Sequence, residues 1–241
     1  MLGELVRFLP AFCCICTLSA QWIGRPEPAW EEDFQAWVAD PHKRVYPSSF
    51  GRDLAKRKIE LQGCLNEHVV VQLGVRGPLP VQRLSAQTSD LVSSSGDRLP
   101  SSLFRVRYPG LIPVDENAQY TPDPLWPTDS VALRPYQSQG VWIDLKVPKE
   151  ARSGVYRGKI DIVRNGFPGA TFEVSLEVLP VSLPDPPGFH CYLNILVDPS
   201  SVARFNKLPL WGEEHWRQLE RYVWNLAEHG QKTITAFIVD D

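Results

Sequence analysis

No stretch of this sequence gathers lysine and arginine onto one face. Its 25 basic residues face 28 acidic ones, for a net charge of −3 over 241 residues, so the clustered positive surface that nucleic acid requires is absent. No apolar run approaches the roughly 20 residues needed to span a bilayer as a helix. Apart from Cys13 and Cys16 in the apolar N-terminal run, the five cysteines form no CxxC pair, and none joins a Cys/His group at zinc spacing. A glycine-rich phosphate loop is also missing, because "GVRGPLP" (74–80) has neither the pattern nor the following helix. His68, His190, His215 and His229 have no serine or cysteine at triad spacing. His215 and His229 stand almost four turns apart on one predicted helix, too far to share a metal at about 1.5 Å rise per residue. Both read as helix-surface residues. These absences leave no cofactor and no metal to expect. Helical periodicity is itself missing from residues 34–179.

Present instead are 22 prolines and 8 tryptophans. Proline is excluded from helix interiors and central strands, so this many argue for a loop-rich β protein. The first twenty residues differ from the rest. "MLGELVR" precedes the apolar run "FLPAFCCICTLSA", too short to span a bilayer and suited to a secretory signal peptide over residues 1–20, cleaved near Ser19 or Ala20. That predicts a secreted or lumenal protein. Cys13, Cys14 and Cys16 would leave with this segment. Cys64 and Cys191 could pair in an oxidising compartment, but two unrelated buried thiols are the simpler reading.

Period-two alternation marks the middle of the chain. In "VWIDLKV", Val141, Ile143, Leu145 and Val147 share one face. In "TFEVSLEVL" that face holds Phe172, Val174, Leu176 and Val178, and in "VYRGKIDIV" it holds Tyr156, Gly158, Ile160 and Ile162. Such alternation predicts sheets with one buried face. "FQAWV" (34–38), "KIELQ" (58–62), "HVVVQLGV" (68–75), "VQRLSAQ" (81–87) and "SLFRVRYPG" (102–110) add shorter strands, and residues 89–102 have loop composition. The prediction is a mainly β protein with an antiparallel β-sandwich over residues 34–180. "LPVSLPDPPG" (179–188) holds four prolines and predicts a stiff linker at 181–188. The grammar then changes. "FHCYLNILV" (189–197) and "KTITAFIV" (232–239) read as buried strands. Between them, after a loop, "WGEEHWRQLERYVWNLAEHG" (211–230) carries Trp216, Leu219, Val223, Leu226 and Ala227 on one helical stripe, with Gly230 as its terminator. Strand–helix–strand with continuously apolar strands is the opening of a parallel α/β domain. A (β/α)₈ barrel needs roughly 200 residues or more, so residues 189–241 are expected to be an incomplete start of one.

Four segments, "YTPDPLWP" (120–127), "QSQGVWIDLKVPKEARSGVYRGKIDI" (137–162), "VDPSSVARFNKLPLWGEEHW" (197–216) and "LAEHGQKTITAFIVDD" (226–241), resemble glycoside hydrolase family 123. The resemblance spans about residues 34–241. It implies an N-terminal β-sandwich joined to a (β/α)₈ catalytic barrel, acting on β-linked N-acetylgalactosamine by substrate-assisted retention. In that scheme the 2-acetamido oxygen of the substrate attacks the anomeric carbon, an aspartate orients the amide, and a neighbouring glutamate serves as acid and then base. The family's Asp-Glu pair sits on a later barrel strand, and no residue here matches it. The family's first barrel strand ends in a segment resembling "LWQHP". Its Trp, Gln and His positions correspond here to Leu196, Val197 and Asp198.

The candidate substrate-binding residues are Asn194 and Asp198 at the end of the first predicted barrel strand, with Asp240 and Asp241 after the second, because strand C-termini face the active site in such barrels. No catalytic residue is assigned within the chain. Asp115-Glu116, the sole Asp-Glu dipeptide, lies in a sandwich loop and reads as a solvated turn. Trp126, Trp142 and Trp211 are possible sugar-stacking platforms, with packing as the ordinary role of each. The expected partner is a glycan or amino sugar bound by the longer parent protein, with the present chain inactive alone. The alternative is a non-catalytic β-sandwich module that binds carbohydrate or protein.

Overall fold

The computed structural model describes residues 33–113 and 120–236. Residues 1–20, expected as a signal peptide, and Asp115-Glu116, Asp240 and Asp241 lie outside the described residues. Two sheets stack over residues 35–182. The first runs in the order β1 (Gln35–Ala39), β3 (His68–Arg76), β10 (Ser138–Lys146), β7 (Phe104–Pro113), β8 (Tyr120–Trp126). The second is ordered β2 (Lys58–Leu65), β12 (Phe167–Ser182), β11 (Gly154–Arg164), β4 (Val81–Thr88), β9 (Val131–Leu133). The alternating residues fill the space between the sheets as expected. Val141, Ile143, Leu145 and Val147 meet Tyr156, Ile160, Ile162, Phe172, Val174, Leu176 and Val178 in one buried cluster, which Val69, Val71, Leu73 and Val75 of β3 extend. Tyr108 links the layers. Its buried hydroxyl on β7 accepts the Ala86 amide proton of β4 at 3.1 Å.

Turn chemistry fixes the register. Asn165 and Gly166, at φ 50° and 87°, form the two-residue connection from β11 to β12. Two left-handed residues match the twist of a tight hairpin. The edge pair β2–β12 is parallel, whereas an antiparallel sandwich was expected throughout. Only hairpin-linked neighbours are obliged to run antiparallel, and β2 and β12 are distant in sequence. Residues 89–102, expected as loop, hold a small hairpin of β5 (Leu91–Ser93) and β6 (Arg98–Leu99) that buries Leu91 and Leu99.

The last part of the chain departs further from the sequence reading. β13 covers only Leu196–Val197, paired in parallel with β14 (Thr235–Ala236), and an isolated bridge joins Leu193 to Gln231. A strand is defined by its ladder, and residues 189–192 have none among the described residues. The stretch expected as loop contains helix α1 (Pro199–Asn206), followed by α2 (Glu213–Glu228). Gly230 ends α2 at φ +94°, as its sequence position predicted. Cys64 is half-buried, Cys191 is exposed, and both are free thiols. No described helix is long and apolar enough to cross a membrane.

Candidate functional site

The rim at the C-terminal end of β13 is built by three polar side chains. Gln231 follows α2 and is buried. Its Oε1 accepts from the Ile195 backbone N–H at 3.1 Å, and its Nε2 donates to the carbonyls of Ile195 at 3.1 Å and Thr233 at 2.8 Å. The carboxamide therefore replaces a missing ladder rung between the two strands. A backbone segment with unsatisfied groups would be costly to hold here, so Gln231 sets the path of the chain into β13.

Asp198 leaves β13 and caps α1. Its Oδ1 accepts from the Ser200 N–H at 3.0 Å, and Oδ2 accepts from the Ser201 hydroxyl. Pro199 occupies the first helical turn, where its missing N–H costs nothing. The Ser201 hydroxyl, with the Ser200 and Ser201 amides and Arg204 behind it, holds the exposed Asp198 carboxyl below its ordinary pKa. Both oxygens of this candidate sugar ligand thus already serve the cap. Asn194 is exposed, and its side chain makes no hydrogen bond among the described residues.

His215 is fully buried in the first turn of α2, which corrects the helix-surface reading. Its Nε2 lies 2.9 Å from the Pro199 carbonyl oxygen, and its Nδ1 lies 2.9 Å from the Trp211 backbone N. A carbonyl can only accept and an amide N–H can only donate. The ring is therefore the neutral Nε2–H tautomer, with Nδ1 as acceptor. This one imidazole ties the start of α1 to the loop before α2. It also stabilises Trp211, whose φ of +60° is unusual for a residue with a side chain. The Trp211 ring packs against His215 and Trp216, each with its centroid 5.5 Å away, so it serves packing. His229 is exposed and accompanies the end of α2 through the Asn225 carbonyl.

The rest of this unit turns apolar groups outward. Tyr192, Leu196, Phe205, Trp216, Trp224 and Ile234 are all more than half exposed, a density that marks surfaces made to be covered. The sandwich has its own cleft of about 320 Å³ on the outer face of the first sheet, lined by Trp142, Gln72, Arg44, Asp123, Pro109 and Leu125 among others. A larger groove, about 1210 Å³, opens between the sheet edges at β1 and β2. No group of three or more His, Cys, Asp or Glu residues could hold a metal ion among the described residues. Neither Gln231 nor the buried His215 was anticipated from sequence, although both fall in the segments that carry the family resemblance.

The model of the glycoside hydrolase 123 N-terminal domain matches residues 42–164, just over half of the chain. This chain belongs to glycoside hydrolase family 123. The family's catalytic-domain model matches residues 197–241, which includes the rim just described. Among solved structures, the chain is similar to a family 123 glycoside hydrolase from Clostridium perfringens, studied for the details of glycolipid glycan hydrolysis. The TM-score is 0.72 at 18% identity, over 84% of this chain and 37% of that one. This chain therefore spans little more than a third of that enzyme's length. Matches to a PapD-like domain of human CEP192, with TM-score 0.30, 12% identity and 67% and 96% of the two chains covered, and to a β-glucosidase mutant from Listeria innocua, with TM-score 0.28, 14% identity and 63% and 16% covered, are too distant to carry an argument. Among curated proteins, none matches.

Proposed function

We propose that this chain supplies the N-terminal part of a glycosidase acting on β-linked N-acetylgalactosamine by substrate-assisted retention. In this reading residues 34–180 are the supporting sandwich, 181–188 the linker, and 189–241 the opening strands and helix of the catalytic barrel. The observation that carries it is the order of the two family matches, 42–164 and then 197–241, within one chain. The outward apolar side chains of the α/β unit support it, because they suit a surface that further barrel segments cover.

Asn194, Asp198, Asp240 and Asp241 are proposed to line the sugar rim. Asp198 acts chiefly through its cap, by fixing the βα loop, and Asn194 has its carboxamide free to meet a hydroxyl or acetamido group. The Asp-Glu pair that performs the chemistry has no counterpart in these residues and is proposed to come from later barrel strands. A secreted or lumenal location follows from the proposed signal peptide. The test is direct. The purified 241-residue chain is incubated with an aryl β-N-acetylgalactosaminide, and no release of the aryl group is expected. Turnover that copurifies with the chain would refute the assignment.

A further inference from the structure

The cleft on the outer face of the first sheet lies within the sandwich and uses none of the rim residues. Its floor is Trp142 on β10, with the cross-strand neighbour Gln72 on β3. Pro109, Pro122 and Leu125 form one side, and His42, Lys43 and Arg44 form the other. Three features make it a built site. Gln72 is buried, and its Nε2 donates to the carbonyls of Asp40 at 2.7 Å and Lys43 at 2.8 Å, which holds the loop bearing Arg44 in place. Arg44 then spans the cleft to β8, with Nε on the Pro122 carbonyl at 3.1 Å and Nη2 on Asp123 Oδ1 at 2.9 Å. Finally, Trp142 takes part in no ring–ring or cation–ring contact among the described residues. By contrast, Phe34, Phe50 and Phe172 each carry an arginine. The Trp142 indole N–H likewise has no hydrogen-bond partner among the described residues.

We propose that this cleft is a carbohydrate subsite of the sandwich that takes one neutral pyranose unit of a glycan. The C–H face of a pyranose matches an aromatic ring, and its vicinal hydroxyls need planar donors and acceptors held at fixed spacing. The Asp123 carboxylate and Arg44 guanidinium, paired at 2.9 Å, provide these side by side, with Asp123 Oδ2 still open to a hydroxyl donor. A volume of about 320 Å³ falls at the low end of small-ligand pockets, near 300 Å³, which suits a single sugar ring. Other occupants fit less well. An anion would meet an arginine already neutralised by Asp123, and Lys43 leans to Asp40 at 3.7 Å in solvent. A peptide strand adding to the edge at β8 would face Pro122 and Pro124, which lack the N–H groups that such pairing uses. This subsite goes beyond the hydrolase reading and does not depend on it.

The probes are the methyl glycosides of galactose, glucose, mannose and N-acetylgalactosamine, titrated separately into the isotope-labelled 241-residue chain. Amide and indole N–H shifts are followed by NMR. At least one glycoside is expected to move the Trp142 indole N–H and the Gln72 and Asp123 amides, with a dissociation constant on the order of 1 mM. Trp142→Ala and Asp123→Ala should each weaken that binding about tenfold, the size of a lost aromatic or charge-assisted contact. Glu150→Ala, at an exposed turn outside both the cleft and the rim, should leave it unchanged. Asp123 is solvent-exposed, so its variant carries the test should Trp142→Ala fail to fold. Absence of shifts at Trp142 with all four sugars, binding undiminished by Asp123→Ala, or binding abolished by Glu150→Ala would each overturn the proposal. The hydrolase reading is tested by turnover and stands or falls separately.

Discussion

Replacing His215 tests whether one imidazole organises the rim. His215→Phe keeps an aromatic ring in the site but removes both hydrogen bonds, leaving the Pro199 carbonyl and the Trp211 N–H without their partner. A buried group left unpaired costs about 1–3 kcal/mol, so the pair sets a loss of roughly 2–6 kcal/mol if water stays out. Apolar burial offers little to offset this. Beyond the sandwich, Val197, Pro199, Ala203 and Leu219 are the buried apolar residues among the described residues, and a buried Val or Leu contributes about 1.5–3 kcal/mol. The loss is therefore comparable to the whole apolar contribution of the unit, and the expected result is local opening of α1 and the first turn of α2. Among the described residues the sandwich core contains none beyond Val178, and it should keep its melting midpoint. Hydrogen exchange of the Val202–Asn206 amides is the assay. A loss of about 2 kcal/mol in opening free energy accelerates exchange roughly thirtyfold, given tenfold per 1.4 kcal/mol. Two further variants separate the bonds. Asn places an acceptor near Nδ1 and restores the Trp211 contact, while Gln places a donor near Nε2 and restores the Pro199 contact, so both should exchange at intermediate rates. If exchange in His215→Phe matches the parent chain, the imidazole does not hold the loop and the reasoning fails.

Two other perturbations probe different parts of the chain. A methyl group at Gly74 on β3 would collide with the indole of Trp37, which is buried, so Gly74→Ala is expected to destabilise the sandwich by about 1–3 kcal/mol in a urea titration. An unchanged midpoint would show that the indole can move aside. The Asp198 cap should be acid-sensitive. Its folded pKa is depressed, so the stabilisation is complete above the ordinary aspartate value of about 4 and is lost as pH falls through the lower folded value. Exchange of α1 amides, corrected for its intrinsic pH dependence, should rise on acidification in the parent chain and change much less in Asp198→Asn. Equal acid responses would remove the cap from the explanation.

The sandwich was legible because its information is local and periodic. A side chain two residues along a strand returns to the same face, so Val141 to Val147 and Phe172 to Val178 declare their burial without knowledge of their partners. The parallel pairing of β2 with β12 is not local, and no pattern in either strand announces it. The α/β unit hid more. Helix α1 is short and keeps Phe205 exposed, so it lacks the apolar stripe that reveals a helix, although Asp198-Pro199 is a sound start signal. His215 and Gln231 are polar residues whose burial depends on backbone groups elsewhere in the chain. The Pro199 carbonyl is sixteen residues from His215, and Ile195 is thirty-six from Gln231. Composition places such residues on the surface by default. Only the fold supplies the partners that reverse this.

The two halves of the chain therefore divide their forces in opposite ways. In the sandwich, apolar contacts fill the interior, while polar groups such as Gln72 and Arg44 shape the outer face. In the α/β unit the buried positions include the hydrogen-bonding side chains of His215 and Gln231, while tryptophan, tyrosine and phenylalanine rings lie outward. Apolar contact is non-directional and sets how firmly a structure holds. A hydrogen bond between a ring nitrogen and one named carbonyl fixes where a loop sits. Substitutions in the sandwich core should thus lower stability without moving the rim selectively. Substitutions at His215 or Gln231 should shift the rim while the sandwich stays folded. A sugar site needs hydroxyl partners held at fixed spacing, so it belongs where directional contacts set the geometry. The loop after β13 and the loop beside the Trp142 cleft are both held in this directional way, by the buried side chains of Gln231 and Gln72.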